Sequence, residues 1–227
     1  MLIAFWHDDT GAITVDWTVL TGGLVGLGLA AAGLVASGTG SLSTDISERL
    51  SGLLDEGTEA LVYFSDFADG AGDWLNGMVT DGSDFGEILG PYAGTGGAVG
   101  VERTFDIPPG TETASFTFDM LAIDSWDNEE FIVFVDGARA ASLQFQHSTD
   151  GLTGQWVSDN PDYTFQVHDV STRQHSGYNS SWPEQVASVQ LDVANPGENV
   201  TLGFGSTLDQ SSEDESFAID NVNLQVE

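Results

Sequence analysis

Apolar residues are distributed differently in two parts of the chain. Residues 12–37 consist mainly of Ala, Gly, Leu, Val and Thr, and Asp16 is the only charged residue among them. From about residue 60 onward, apolar residues instead alternate with polar or small ones, which is the period of a β-strand with one buried face. The pattern therefore predicts one apolar N-terminal helix, followed by a β-domain that covers residues 60–227.

The alternating region predicts about eight or nine short strands separated by turn residues. A hairpin turn is expected at Asp136-Gly137, because this dipeptide suits a two-residue turn between strands. A glycine-rich segment at 94–100 is expected to be a flexible loop. No convincing helix lies between the strands, so we predict a mainly β, antiparallel β-sandwich of the jelly-roll type. The predicted strands are 98–106, 114–123, two within 131–145, 162–170, 186–193, 199–205 and 215–226.

The apolar segment is long enough to cross a membrane. As an α-helix, residues 12–37 would extend roughly 39 Å, against about 30 Å for a hydrocarbon core. Gly22 and Gly26 lie four residues apart, which allows close contact with the transmembrane helices of identical or other subunits. A secretory signal peptide or a buried core helix is the alternative, although the N-terminus lacks the basic residues of a signal peptide. We expect a leader or cytoplasmic N-terminus at 1–11, a transmembrane helix in lipid at 12–37, and a stalk with a short helix at 38–59.

The stretch GAITVD at 11–16 resembles the N-terminus of type IV pilins, particularly the Flp-type (IVb) pilins of tight-adherence systems. In that family a peptidase cuts after a glycine, and the fifth residue of the mature chain is an acid within an apolar helix. The resemblance implies cleavage after Gly11, Ala12 as the first mature residue and Asp16 as the fifth. The leader has no Lys or Arg, unlike most pilin leaders. A plain single-pass anchor, or a non-catalytic accessory subunit of a larger membrane complex, therefore remains the alternative.

The charge balance is strongly acidic. There are 36 Asp and Glu residues against four Arg and no Lys, which gives a net charge of −32. Such a surface repels nucleic acids and attracts cations, Ca²⁺ above all. Cysteine is absent, so disulfides and thiolate metal sites are excluded. With the predicted anchor, these features point to a bacterial inner-membrane or cell-surface protein whose C-terminal domain is periplasmic or extracellular.

Two segments concentrate acidic residues, namely IDSWDNEEF at 123–131, expected to form a loop between strands, and SSEDESFAIDNVNL at 211–224. The second resembles the last strand of secreted jelly-roll modules, in whose carbohydrate-binding members a structural Ca²⁺ lies near the first and last strands. The resemblance implies Asp66 and Asp220 as the matching positions. Calcium binds six to eight oxygens, which carboxylates supply. The predicted Ca²⁺ ligands are Asp66, Asp124, Asp127, Glu129, Asp214, Glu215 and Asp220.

Sequence motifs for catalysis are weak, so we expect a protein that is not an enzyme. His147, His168 and His175 lack the spacing of a zinc site. Exposed aromatic rings can stack on sugars, so a glycan is a candidate partner. The predicted ligand-binding residues are Trp126, Trp156, Tyr178 and Trp182. We predict a pilin-like membrane-anchored surface protein that displays an acidic β-sandwich for assembly and adhesion; an anchored hydrolase or lectin is a further alternative.

Overall fold

A computed structural model describes residues 60–148, 151–177 and 182–227. The chain divides into two compact units, Met1–Gly57 and Thr58–Glu227, and all described residues belong to the second. Within the described ranges, no helix is long and apolar enough to cross a membrane. The predicted leader, transmembrane helix and stalk at 1–11, 12–37 and 38–59 lie outside the described residues, as do Gly11, Ala12, Asp16, Gly22, Gly26 and Tyr178.

The described residues form twelve β-strands and one 3-10 turn at Ser83–Phe85. Alternation is clearest in QVASVQLDVA at 185–194, where every second side chain is buried, as expected for a strand with one face on a core. The strands are β1 (Ala60–Ser65), β2 (Val79–Asp81), β3 (Glu87–Tyr92), β4 (Val101–Asp106), β5 (Thr113–Asp124), β6 (Asp127–Val135), β7 (Ala138–Gln146), β8 (Gly151–Val157), β9 (Tyr163–Val170), β10 (Gln185–Ala194), β11 (Asn199–Ser206) and β12 (Glu215–Val226).

The strands build two antiparallel sheets. One sheet has the order β2-β3-β12-β5-β10-β9, and β1 also pairs with the C-terminal part of β12. The other sheet has the order β4-β11-β6-β7-β8. Strands β5, β12, β6 and β11 are therefore central, and the acidic segments of the sequence lie where these strands begin and end.

Aromatic side chains dominate the core between the two sheets. Phe118 of β5 meets Phe204 of β11, with ring centroids 4.8 Å apart, and Phe204 stacks on Phe131 of β6 at 5.6 Å. All three rings are buried. Because each buried aromatic ring removes about 150–250 Å² from water, these contacts supply much of the attraction between the sheets.

The prediction of a mainly β, antiparallel β-sandwich is confirmed for the described residues. The turn at Asp136-Gly137 is also confirmed, and both residues have positive φ, 51° and 77°. The strand count was too low, because β1, β2, β3 and β8 were not predicted. The prediction of a loop over 123–131 was wrong for most of its length, since β5 continues to Asp124 and β6 begins at Asp127.

Candidate metal centre

Three carboxylates converge at one end of the sandwich. They belong to Glu129 in β6, Asp209 in the loop between β11 and β12, and Glu215, the first residue of β12. One oxygen from each lies within 4.8 Å of the others. We call these three residues the acidic centre. Oxygens this close together on three chain segments form an arrangement to which a hard cation can bind.

Glu215 is the innermost member of the acidic centre, with an exposed fraction of 0%. Its Oε1 accepts hydrogen bonds from the backbone N–H groups of Asp209 at 2.8 Å and Gln210 at 3.0 Å. Its Oε2 has no hydrogen-bond partner among the residues that the structure describes. An unpaired buried carboxylate oxygen costs several kcal/mol or attracts a positive partner.

Backbone contacts hold the β11–β12 loop against β6. The N–H of Thr207 donates to the carbonyl of Glu130 at 2.9 Å, and the N–H of Glu130 donates to Thr207 Oγ1 at 2.8 Å. Further along, the N–H groups of Asp214 and Glu215 both donate to the carbonyl of Ser211. These bonds fix Asp209 between two anchored points, so its carboxylate is held beside those of β6 and β12.

The acidic centre disfavours negative charge. The pKa of Glu129 is raised to about 7, chiefly by burial and then by a hydrogen bond with the Asp127 side chain, with a smaller contribution from the charge of Glu215. Burial also raises the pKa of Glu215, and the charges of Asp209 and Asp127 add to this effect. The folded chain therefore brings together carboxylates that repel one another, and a bound cation would relieve that repulsion.

Trp126 positions the turn between β5 and β6. Its indole Nε1 donates to the carbonyl of Ser216 at 2.9 Å, and its ring packs edge-on against Phe145. Beside it, the N–H and hydroxyl of Ser125 donate to the carbonyl of Asp214 at 3.3 and 3.0 Å. The turn is thus fastened to the start of β12, which places Asp127 and Glu129 near Glu215.

The predicted Ca²⁺ ligands fall into separate groups in the structure. Glu129 and Glu215 belong to the acidic centre, and Asp127 lies next to it. Asp214 is exposed and contributes its backbone carbonyl to the turn contact. Asp124 is buried and lines a small pocket that also contains His147 and Arg173.

Asp66 and Asp220 form a second acidic group, together with Asp119. Asn221 Nδ2 donates to Asp119 Oδ2 at 2.9 Å and to Asp220 Oδ2 at 3.3 Å. Ser188 Oγ also donates to Asp119. Burial raises the pKa of Asp220 to about 6, and the charges of Asp119 and Asp66 contribute. The predicted proximity of Asp66 to Asp220 fits this structure, and Asp119 is the third acid.

The predicted sugar-binding aromatic residues differ in exposure. Trp126 is only 1% exposed, so its buried ring offers no free face to a sugar. Trp156 in β8 is 45% exposed, and the Arg139 guanidinium lies 4.8 Å from its ring centroid. Trp182 is 37% exposed and meets the His147 ring edge-on. Trp156 and Trp182 therefore remain candidates for ligand contact.

Sequence reasoning missed Asp209 and Asp119. Asp209 precedes the acidic run at 211–224 by two residues, and its place became clear only when the loop folded back onto Glu215. Asp119 is the polar residue of FTFDM within β5, where strict alternation places it on the outer face of its sheet. The alternation of Asp119 with Phe118 and Met120 indicates that its side chain lies on the outer face. Its neighbours in β10 and β12 are distant in sequence, so the alternation does not predict which acids lie beside it.

The acidic centre offers the kind of ligand that hard cations prefer, namely one carboxylate oxygen from each of three chain segments, and one of the carboxylates is buried. Such a set can bind an ion; within the described residues it contains no sulfur or imidazole ligand for a softer metal. In comparisons with known proteins, no protein-family model, curated protein or solved structure matches this chain.

Proposed function

We propose that this chain is a pilin-like, membrane-anchored surface protein. Residues 12–37 insert into the membrane, and the sandwich that begins at Ala60 is displayed outside the cytoplasm for assembly and adhesion, without a catalytic role of its own. The observation that carries this proposal is the stretch GAITVD at 11–16, in which an acid lies five positions after a glycine at the start of a long apolar run.

Asp16 is the residue to which we assign a role in assembly. A carboxylate within a lipid-embedded helix costs on the order of 2.5–3.5 kcal/mol on insertion scales. A free α-amino group on Ala12 of a neighbouring chain would offset this cost by pairing with Asp16, and the low dielectric would make the pairing sensitive to register. Close approach of the helices is favoured by Gly22 and Gly26, four residues apart.

The sandwich has features suited to display. The described residues form an aromatic core between two antiparallel sheets, and this supports the jelly-roll type that the sequence predicts. Trp156 is exposed, and the guanidinium of Arg139, which pairs with Glu130 at 2.6 Å, lies over its ring. An exposed indole next to polar groups can stack on a sugar ring while hydrogen bonds fix its orientation. These properties support a contact surface on the outer face of β7 and β8.

The mass of the native N-terminus tests the proposal. We expect mass spectrometry of the chain isolated from its native membrane to give Ala12 as the first residue. Asp16→Ala is expected to insert as well as the wild type and to lose assembly. The matched control is Asp9→Ala, which removes an acid from the leader and should leave assembly unchanged.

An intact Met1 in the membrane-bound protein would overturn pilin-type processing. It would instead favour the alternative of an accessory subunit, whose uncleaved helix packs on the helices of other proteins. Unchanged assembly of Asp16→Ala would remove the role given to this carboxylate, even if cleavage occurs.

A further inference from the structure

We propose that Glu129, Asp209 and Glu215 bind one Ca²⁺ ion, which fastens the β11–β12 loop to β6 and β12. The site differs from the pairing of Asp66 with Asp220 that the sequence resemblance implied. It involves only residues of the sandwich, so it does not depend on membrane anchoring or processing.

The state of Glu215 is the first support. This residue is fully buried, and its Oε2 has no hydrogen-bond partner among the described residues. One oxygen of its carboxylate lies within 4.8 Å of an oxygen of Glu129 and one of Asp209. The two N–H groups on Oε1 fix the orientation of the carboxylate. Buried charges in proteins are paired or bind metals, and the neighbours on this side are themselves acids.

The spacing of the oxygens is the second support. Calcium–oxygen distances are about 2.3–2.6 Å, so oxygens on opposite sides of one ion are roughly 4.6–5.2 Å apart. Three oxygens within 4.8 Å of one another fit inside one such shell. Asp209 is exposed and Glu129 is half-buried, so water can complete the six to eight ligands that Ca²⁺ takes.

The charge of the site favours Ca²⁺ over Mg²⁺. Mg²⁺ requires a nearly ideal octahedron at about 2.0–2.1 Å and retains its own waters, whereas Ca²⁺ accepts irregular clusters of carboxylates. The three carboxylates hold an oxygen each within 4.8 Å of one another, so their negative charges repel. An ion of charge two, bound among them, offsets that repulsion and links β6 to the β11–β12 loop and to the start of β12.

Calcium binding by the full-length chain tests the site. After treatment with a chelator, the protein is dialysed against radioactive Ca²⁺ in KCl of about 1 M, where the Debye length is about 3 Å and diffuse attraction is suppressed. We expect one saturable ion in the wild type. Asp209→Asn and Glu215→Gln are each expected to weaken it by about tenfold or more, because ligand charge sets the affinity of such sites. Glu213→Gln, an exposed change of equal charge in the same loop, is the matched control.

If Glu215→Gln fails to fold, the Ca²⁺ affinity of Asp209→Asn tests the site on its own. Its side chain is exposed, and its backbone N–H still donates to Glu215. The absence of a saturable site in the wild type, or equal affinity in Asp209→Asn and the wild type, would overturn the proposal. Displacement of Ca²⁺ by an equal concentration of Mg²⁺ would overturn the choice of ion. None of these results bears on residues 12–37, so the proposed function stands or falls separately.

Discussion

Individual carboxylates in the sandwich are held by hydrogen bonds more than by basic side chains. Among the described residues, Arg103 pairs with Asp73 at 3.3 Å and Arg139 pairs with Glu130 at 2.6 Å. The buried Glu184 instead accepts hydrogen bonds from the N–H and hydroxyl of Ser176, at 2.7 and 2.8 Å. Hydrogen bonds only partly replace the solvation of a charge, and burial raises the pKa of the carboxyls of Glu215 and Asp220.

Asp220 makes the stability of the sandwich depend on pH. Folding raises the pKa of this carboxyl from 3.8 to about 6, chiefly by burial. The folded state therefore holds the proton more tightly, and this contribution to stability is complete below about pH 4 and is lost as the pH rises to about 6. Asp220→Asn should abolish this loss, which is on the order of 2 kcal/mol, in urea unfolding measured from pH 4 to 7.

Comparison of Asp220→Asn with a control variant separates the contribution of Asp220 to the pH dependence from that of the other acidic residues. Asn at position 220 can still accept the N–H bond from Asn221 that Asp220 Oδ1 accepts at 2.7 Å. Asp159→Asn, at an exposed loop position, is the charge-matched control. If Asp220→Asn shows the same change in unfolding free energy between pH 4 and 6 as the wild type, the assignment to Asp220 is wrong.

At the scale of elements, alternation predicted the long central strands well. Strands β5, β10 and β12 bury every second residue over much of their length, so the sequence carries their period directly. Strands β2 and β3 were missed, because β2 has three residues and β3 contains Gly90-Pro91. Gly and Pro usually mark turns, and only its pairing with β2 and β12 shows that this segment is a strand.

The acidic centre was predictable only in part, for a related reason. Glu129 and Glu215 stood out because acids cluster around them in the sequence. Asp209 joins them through the path of the β11–β12 loop, which is determined by backbone bonds to β6 and to Ser211. The contact between Thr207 and Glu130 joins residues 77 positions apart in the chain, which leaves no local pattern, so a single sequence does not reveal where Asp209 lies.

The glycine-rich segment at 94–100 is held firmly against β11. The N–H of Gly100 donates to Phe204 at 2.8 Å, and Gly97 donates to Ser206 at 2.9 Å. At Gly205 an added Cβ would lie 2.0 Å from the carbonyl oxygen of Ala98. The expectation of a loop was right about its lack of regular structure, but close backbone packing fixes its position.

Gly205→Ala should therefore separate this segment from β11. Overpacking of this kind costs about 1–3 kcal/mol, and we expect that loss in the free energy of unfolding from urea titrations. Gly154→Ala is the control, since its nearest neighbour is the flexible Gln144 side chain, 3.2 Å from the added Cβ. Equal stability of Gly205→Ala and Gly154→Ala would show that the segment does not pack as described.

For the whole molecule, the net charge of −32 is the dominant property. Three of the four arginines, Arg103, Arg139 and Arg173, belong to the sandwich, and they cannot balance its acids. Mobile and bound cations from solution must supply the remaining positive charge, which fits a domain exposed to a salt-containing medium. The same surface repels nucleic acids and anionic headgroups.

The location of the sandwich tests the central claim of an anchored protein that faces outward. The chain contains no cysteine, so Asp159→Cys, at an exposed loop position, introduces a single thiol. A membrane-impermeant maleimide should modify this thiol in intact spheroplasts as completely as in permeabilised ones, with the wild type as the unlabelled blank. Modification only after permeabilisation would place the sandwich in the cytoplasm and contradict the account.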